Sequence, residues 1–229
     1  MAGTVLCLRD VCLREADVAL LRDPCSWLTD QIIAYVIEKL NDGSGDGASD
    51  GEGFRRPELF DASCSMLLMY APEVVMDARP AAVDAPASVF VVNNNDDPNR
   101  AFGGTHWSVL VYERRTREFY ALDSIRGAND AAAEALASSL APLLLGPDSP
   151  RLPVVRRHPM LPSQRNAHDC GVYTCLFLEE TAGWFSSGDG DARAFAAVDF
   201  RSKITEGRVG AYKEMLLQMI DTDVRRHGR

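Results

Sequence analysis

An α+β fold is what this sequence predicts, on three observations. Runs rich in β-branched and aromatic residues gather in the middle of the chain, at 88–93, 105–113 and 118–124. Stretches with apolar residues at helical spacing lie before them, at 23–41, and after them, at 131–145, 170–185 and 208–225. Central strands with helices before and after describe an α+β or mixed α/β domain. At 229 residues, 46% of them hydrophobic, the chain can bury a full core as a single domain over 1–229. The one low-complexity stretch, "NDGSGDGASDGEG" at 41–53, has too little to bury and is expected to be a flexible surface insert.

The elements follow in chain order. "DPCSWLTDQIIAYVIEKLN" (23–41) is an amphipathic helix opened by Ser26 or Thr29, with Ile32, Ile33, Val36, Ile37 and Leu40 on one face. "RPELFDASCSMLLMYA" (56–71) predicts a second helix with Pro57 near its first turn. Residues 77–87 read as an extended connection and "SVFVVN" (88–93) as a buried strand. "THWSVLVYE" (105–113) and "EFYALDS" (118–124) form a hairpin around "RRTR". A helix over 131–145, a strand over 152–157 and an apolar helix over 170–185, stopped near Gly183, come next. A polar loop, "SSGDGDAR", leads to C-terminal helices around 198–205 and 208–225.

Several function classes are disfavoured. A formal net charge of −9 opposes nonspecific nucleic-acid binding and suits a partner with a basic face. No apolar run reaches about 18 residues, so no membrane span is expected. Arg9, Asp10, Arg14, Glu15 and Asp17 break up any signal-peptide core, which makes cytoplasm or nucleus the expected location. The six cysteines are accordingly expected to stay reduced. Without a CxxC pair or zinc-ligand histidine spacing, neither metal nor cofactor is expected.

Three places carry chemistry. Closing the hairpin through a four-residue loop at 113–116 would set His106 directly across from Asp123, with Cβ atoms about 4.5–5.5 Å apart. A carboxylate so placed fixes the imidazole tautomer and stabilises the imidazolium. In "QRNAHDCGVYTC" (164–175), Cys170 falls where an apolar helix begins, and unpaired N–H groups there favour a thiolate. Gly171 leaves room for a substrate backbone to approach the sulfur. Cys175 lies about 140° around the helix, in the core. Gln164 can aim an amide donor at an oxyanion. Singly, each residue has a structural explanation: a satisfied histidine, a turn-capping aspartate, a buried thiol. In the order "HW", "LDS", "QRNAHDCG" they favour nucleophilic catalysis. His158 and His168 are assigned to structure.

"SWLTDQII", "GGTHWSVLVY", "YALDS" and "QRNAHDCGVY" resemble the Ulp/sentrin-specific cysteine proteases from about residue 5 to about 220, most closely the deneddylase branch. The resemblance implies a papain-like α+β fold of the Ulp type, a central mixed sheet flanked by helices. It implies a cysteine isopeptidase and C-terminal hydrolase that cleaves after the C-terminal diglycine of a Nedd-type (Rub) ubiquitin-like modifier; separately, a monomer is expected, though the sequence does not determine the oligomeric state. The family triad maps onto His106, Asp123 and Cys170, with Gln164 as oxyanion donor. Trp107 resembles a tryptophan roofing the tunnel for the diglycine tail, which any side chain would fail to pass. Trp27 resembles a second roofing tryptophan, or anchors the first helix in the core. Asp30 resembles a contact for the tail's arginine, or offsets the helix dipole.

The stretch at 93–104 resembles a substrate-closing loop of the deneddylases, and the lack of a long N-terminal region points the same way. The insert at 41–53 and the acidic loop at 186–191 depart from the family pattern. The alternatives are a SUMO-specific protease of the same family, a catalytically inactive module that binds ubiquitin-like modifiers, and an acetyltransferase built on the same His, acid and Cys logic.

Overall fold

The computed structural model describes residues 3–42, 56–95, 97, 103–148, 152–187 and 193–227. The insert expected at 41–53 lies outside the described residues from 43 onward, as do parts of the 93–104 stretch and of the 186–191 loop.

The chain opens with a hairpin that its sequence did not announce: β1 (Thr4–Leu8) pairs antiparallel with β2 (Val11–Arg14). The turn sets Cys7 opposite Cys12, and the two form a disulfide with their Cα atoms 4.2 Å apart. The expectation of six reduced cysteines is thereby corrected for this pair: directly opposed positions in a tight hairpin bring the sulfurs within bonding range, which an argument from compartment does not consider. Cys25, Cys64, Cys170 and Cys175 are free thiols.

Helix α1 (Glu15–Arg22) leads to α2 (Asp30–Asp42), opened by Thr29, whose Oγ1 accepts the Ile32 N–H at 3.3 Å. The predicted helix from Pro57 starts later. Residues Glu58–Phe60 are instead a short strand, β3, and Asp61 caps α3 (Ala62–Tyr70) by accepting the Cys64 N–H at 2.8 Å. Phe60 stacks on Phe90, 4.8 Å between ring centroids, so burial against the sheet prevails over the helix-start signal of Pro57. The expected extended connection at 77–87 is largely helical, in α4 (Pro72–Ala78) and α5 (Ala81–Asp84).

Strands β4 (Ala87–Asn93), β5 (Trp107–Glu113), β6 (Glu118–Leu122) and β7 (Val155–Arg157) complete a five-stranded sheet in the order β3-β4-β5-β6-β7. Its inner pairs are antiparallel and its outer pairs parallel. Glu113 pairs with Glu118, so the hairpin loop is 114–117 and the register sits two residues from the one expected. Because side chains alternate with period two, a shift of two preserves every face, and His106 and Asp123 still meet at one end of the β5–β6 pair.

Alternation also builds two cores. Val89, Val91, Val109, Val111 and Leu122 face α2, α7 (Cys170–Ser186) and α9 (Glu206–His227). Phe90, Val92, Leu110 and Phe119 face α3, α4 and α6 (Asp130–Leu144). Helix α7 continues through Gly183 to Ser186 rather than stopping there, and α8 (Phe200–Lys203) precedes α9. Among the described residues no helix is long and apolar enough to cross a membrane.

Candidate active site

Asp123 follows the last residue of β6 and is buried. Its Oδ1 accepts from His106 Nε2 at 2.6 Å and from the Ile125 N–H at 2.9 Å; Oδ2 accepts the Asn129 N–H at 3.1 Å. His106 stands just ahead of β5 and is 5% exposed. Two asparagines at the end of β4 and just past it hold its backbone: Asn94 Oδ1 accepts the His106 N–H at 3.1 Å, and Asn93 Nδ2 donates to the His106 carbonyl at 3.2 Å.

The imidazole also interacts with Cys170. With Nε2 engaged by Asp123, Nδ1 is the nitrogen left for the sulfur. Burial is the largest single influence on His106 and pushes it down. The hydrogen bonds with Asp123 and Cys170, together with their negative charges, outweigh burial and raise its pKa to about 9. This environment favours an imidazolium.

Cys170 opens α7 and is 1% exposed. The approach to it is shaped by Asn166, whose Oδ1 accepts the His168 N–H at 3.1 Å and the Asp169 N–H at 3.0 Å while its Nδ2 donates to Asp169 Oδ2 at 2.7 Å. Gln164 is fixed to the end of β6: its N–H donates to the Ser124 carbonyl at 2.9 Å, and its Oε1 accepts from Ser124 Oγ at 2.9 Å. Gln164 Nε2 donates to the Asn166 carbonyl at 2.7 Å and to Asn166 Oδ1 at 3.4 Å. Ser124 and Asn166, both inside the motifs the sequence displayed, are the positioning partners that sequence reasoning left without a role.

Gly171 does something other than expected. A Cβ there would lie 2.8 Å from Leu28 Cβ, so the missing side chain lets α7 pack against the segment before α2 rather than against substrate. That segment borders a cleft of about 530 Å³ lined by Trp27, Leu28, Asp30, Met66, Gly104 and Trp107. Trp107 Nε1 donates to the Leu28 carbonyl at 3.1 Å, tying the two walls together. Trp27 is 40% exposed, which overturns its reading as a core anchor. Asp30 both begins α2 and lines the cleft. Trp107 follows His106 in the chain and Leu28 lies against Gly171, the residue after Cys170, so the walls of the cleft are joined to the segments that carry both groups.

His158 is structural: it is buried among Phe195 and Phe200, its Nε2 bonds the Phe195 carbonyl at 3.0 Å, and burial lowers its pKa. His168 lies 3.9 Å from Asp169 Oδ1. Cys175 is fully buried, and burial pushes its thiol well up. Among the described residues no cluster of three or more His, Cys, Asp and Glu could hold a metal ion.

Comparison with known proteins bears on the family and the fold. Residues 89–205 match the Ulp1 protease family, C-terminal catalytic domain. Over 180 residues the chain is 35% identical to sentrin-specific protease 8 of Homo sapiens, covering 78% of this chain and 81% of that protein. Over 188 residues it is 28% identical to NEDD8-specific protease 1 of Arabidopsis thaliana, covering 80% and 77% respectively. Among solved structures it is similar to the C-terminal Ulp1 protease domain in complex with SMT3, the yeast ortholog of SUMO, with a TM-score of 0.62 at 14% identity over 98% of this chain and 89% of that one. At that identity the likeness shows the fold, and the fold is the papain-like Ulp type expected from the sequence.

Proposed function

The chain belongs to the Ulp1 protease family, and from that premise we propose that it cleaves after the C-terminal diglycine of a Nedd-type ubiquitin-like modifier. The coarser statement holds on family membership alone: this is a cysteine peptidase acting on ubiquitin-like modifiers. Support for the Nedd-type choice comes from the Arabidopsis relative whose name specifies NEDD8. The observation that carries the mechanism is the 2.6 Å contact between His106 and Asp123, with Cys170 on the same imidazole.

In this reading the modifier's tail lies in the cleft lined by Trp27 and Trp107. The Cys170 thiolate attacks the carbonyl carbon of the terminal glycine, and the tetrahedral oxyanion forms toward the side-chain amide of Gln164. Collapse breaks the C–N bond, the departing lysine amine takes its proton from His106, and a thioester remains. His106 then removes a proton from water, whose oxygen adds to the thioester carbon. The second collapse releases the modifier's carboxylate and restores the thiolate–imidazolium pair. Asp123 holds the ring so that one nitrogen faces the sulfur throughout.

The test is hydrolysis of C-terminal coumarin amides of the Nedd-type modifier, SUMO and ubiquitin. Preferred turnover of the first supports the reading. Preferred turnover of SUMO keeps the mechanism and overturns the substrate, and no turnover of any favours the inactive binding module.

A further inference from the structure

Asn129 stands at the N-cap of α6, a position where asparagine is favoured because its side-chain oxygen accepts an N–H of the first turn, yet it makes no such bond. The carboxamide is turned into the sheet instead. Its Nδ2 donates to Ser108 Oγ at 2.8 Å, to the Val92 carbonyl at 3.2 Å and to the His106 carbonyl at 3.4 Å. The orientation is dictated by these partners: two are carbonyls that only accept, so the reversed amide would set oxygen against oxygen. In the orientation adopted, Asn129 Oδ1 is buried and has no hydrogen-bond partner among the described residues. The residue thus forgoes a helix cap and leaves an acceptor unsatisfied, a local inconsistency of the kind that concentrates at functional sites.

The backbone N–H of the same residue holds Asp123 Oδ2 at 3.1 Å. We propose that Asn129 is a positioning residue for the reaction, setting the separation of acid and base by holding Asp123 through its N–H and the backbone of His106 through its side chain. One rigid residue, itself 2% exposed, therefore spans both halves of the couple. A His106 carbonyl tied from both sides, by Asn93 and Asn129, gives the imidazole little freedom to rock away from Asp123. The inference rests on the reading of His106, Asp123 and Cys170 as the catalytic triad.

The test uses full-length protein and the Nedd-type coumarin amide, with active sites counted by an electrophilic modifier probe. Asn129→Ala keeps the N–H to Asp123 and removes only the side-chain tether. It is expected to lower kcat about tenfold to a hundredfold, the scale of a small misplacement of reacting groups, with KM within about twofold. Combined with Asp123→Asn, it should add almost nothing to the loss from Asp123→Asn alone, because both act on one couple. If Asn129→Ala fails to fold, Asn129→Ser, which keeps a donor, should show the same split at smaller amplitude. A lowered melting temperature with wild-type kcat per active site, or losses that simply multiply in the double variant, overturns the proposal. Cys170→Ala separates the two levels: if it retains activity the triad reading fails, whereas an inactive Cys170→Ala beside an Asn129→Ala with full kcat sinks this inference alone.

Discussion

Replacing Asp123 by asparagine removes the charge that outweighs burial at His106. In the native protein His106 has a pKa of about 9 against an ordinary 6.5. At pH 7.5 most of the imidazole is therefore protonated before substrate arrives. Without the carboxylate, burial acts with less opposition and His106 should fall to about 6.5 or below, leaving roughly a tenth protonated at the same pH. Loss of the ready imidazolium alone thus lowers kcat about tenfold at pH 7.5, and misorientation of the ring adds to this, up to about 10⁴ in all by analogy with serine proteases. The assay is kcat against pH with the coumarin substrate, where the alkaline limb belongs to the coupled His106–Cys170 pair. It should move down by about two units in Asp123→Asn.

Stability gives an independent reading of the same couple. A histidine whose pKa is raised on folding contributes stability that is fully present below about 6.5 and lost as pH rises through about 9. The difference of roughly 2.5 units corresponds to an order of 3 kcal/mol. Denaturant unfolding of wild type should therefore weaken across that window, and Asp123→Asn should flatten the slope. An alkaline limb that stays in place, or a variant with wild-type kcat at pH 7.5, would refute the reasoning.

Two other perturbations test the surroundings. Gly171→Ala puts a methyl group 2.8 Å from Leu28 Cβ and should destabilise by about 1–3 kcal/mol, measured by denaturant unfolding, with a rise in KM as the Leu28 wall shifts. Lys213 is 8% exposed and donates to the carbonyls of Asp23, at 3.0 Å, and Pro24, at 3.1 Å, and also to that of Ser26, gathering the loop that presents Trp27. Lys213→Met leaves those carbonyls without the ammonium; unfolding should become easier by about 2–3 kcal/mol, and KM for the modifier substrate should rise while kcat changes little.

Much of this was legible because the strong signals are local. The β-branched runs at 88–93 and 107–113 became central strands, the cap at Thr29 falls in the sequence beside the helix it opens, and the His106 and Asp123 motifs are joined by one short hairpin. What escaped was decided by partners far away in the chain. Glu58–Phe60 is a strand only because β4 offers it an edge and Phe90 a ring to stack on. The hairpin loop closes two residues from the expected register because Arg117, a residue with a Cβ, takes a left-handed conformation at φ 58°. The direct His106–Asp123 opposition inferred from the shifted register was thus wrong in detail, while the period-two rule preserved its consequence. The contact of Gly171 with Leu28 and the whole role of Asn129 carried no signal in the sequence, since they depend on Leu28 and on the carbonyls of Val92 and His106.

The central claim is that Cys170 is a nucleophile poised by His106, and it is tested most directly by a C-terminal electrophile probe built on the Nedd-type modifier, with mass spectrometry to locate the adduct. The account predicts one adduct per chain, on Cys170, absent in Cys170→Ala and slowed in Asp123→Asn. Labelling spread over Cys25 and Cys64 as readily as Cys170, or an adduct that persists in Cys170→Ala, would contradict it.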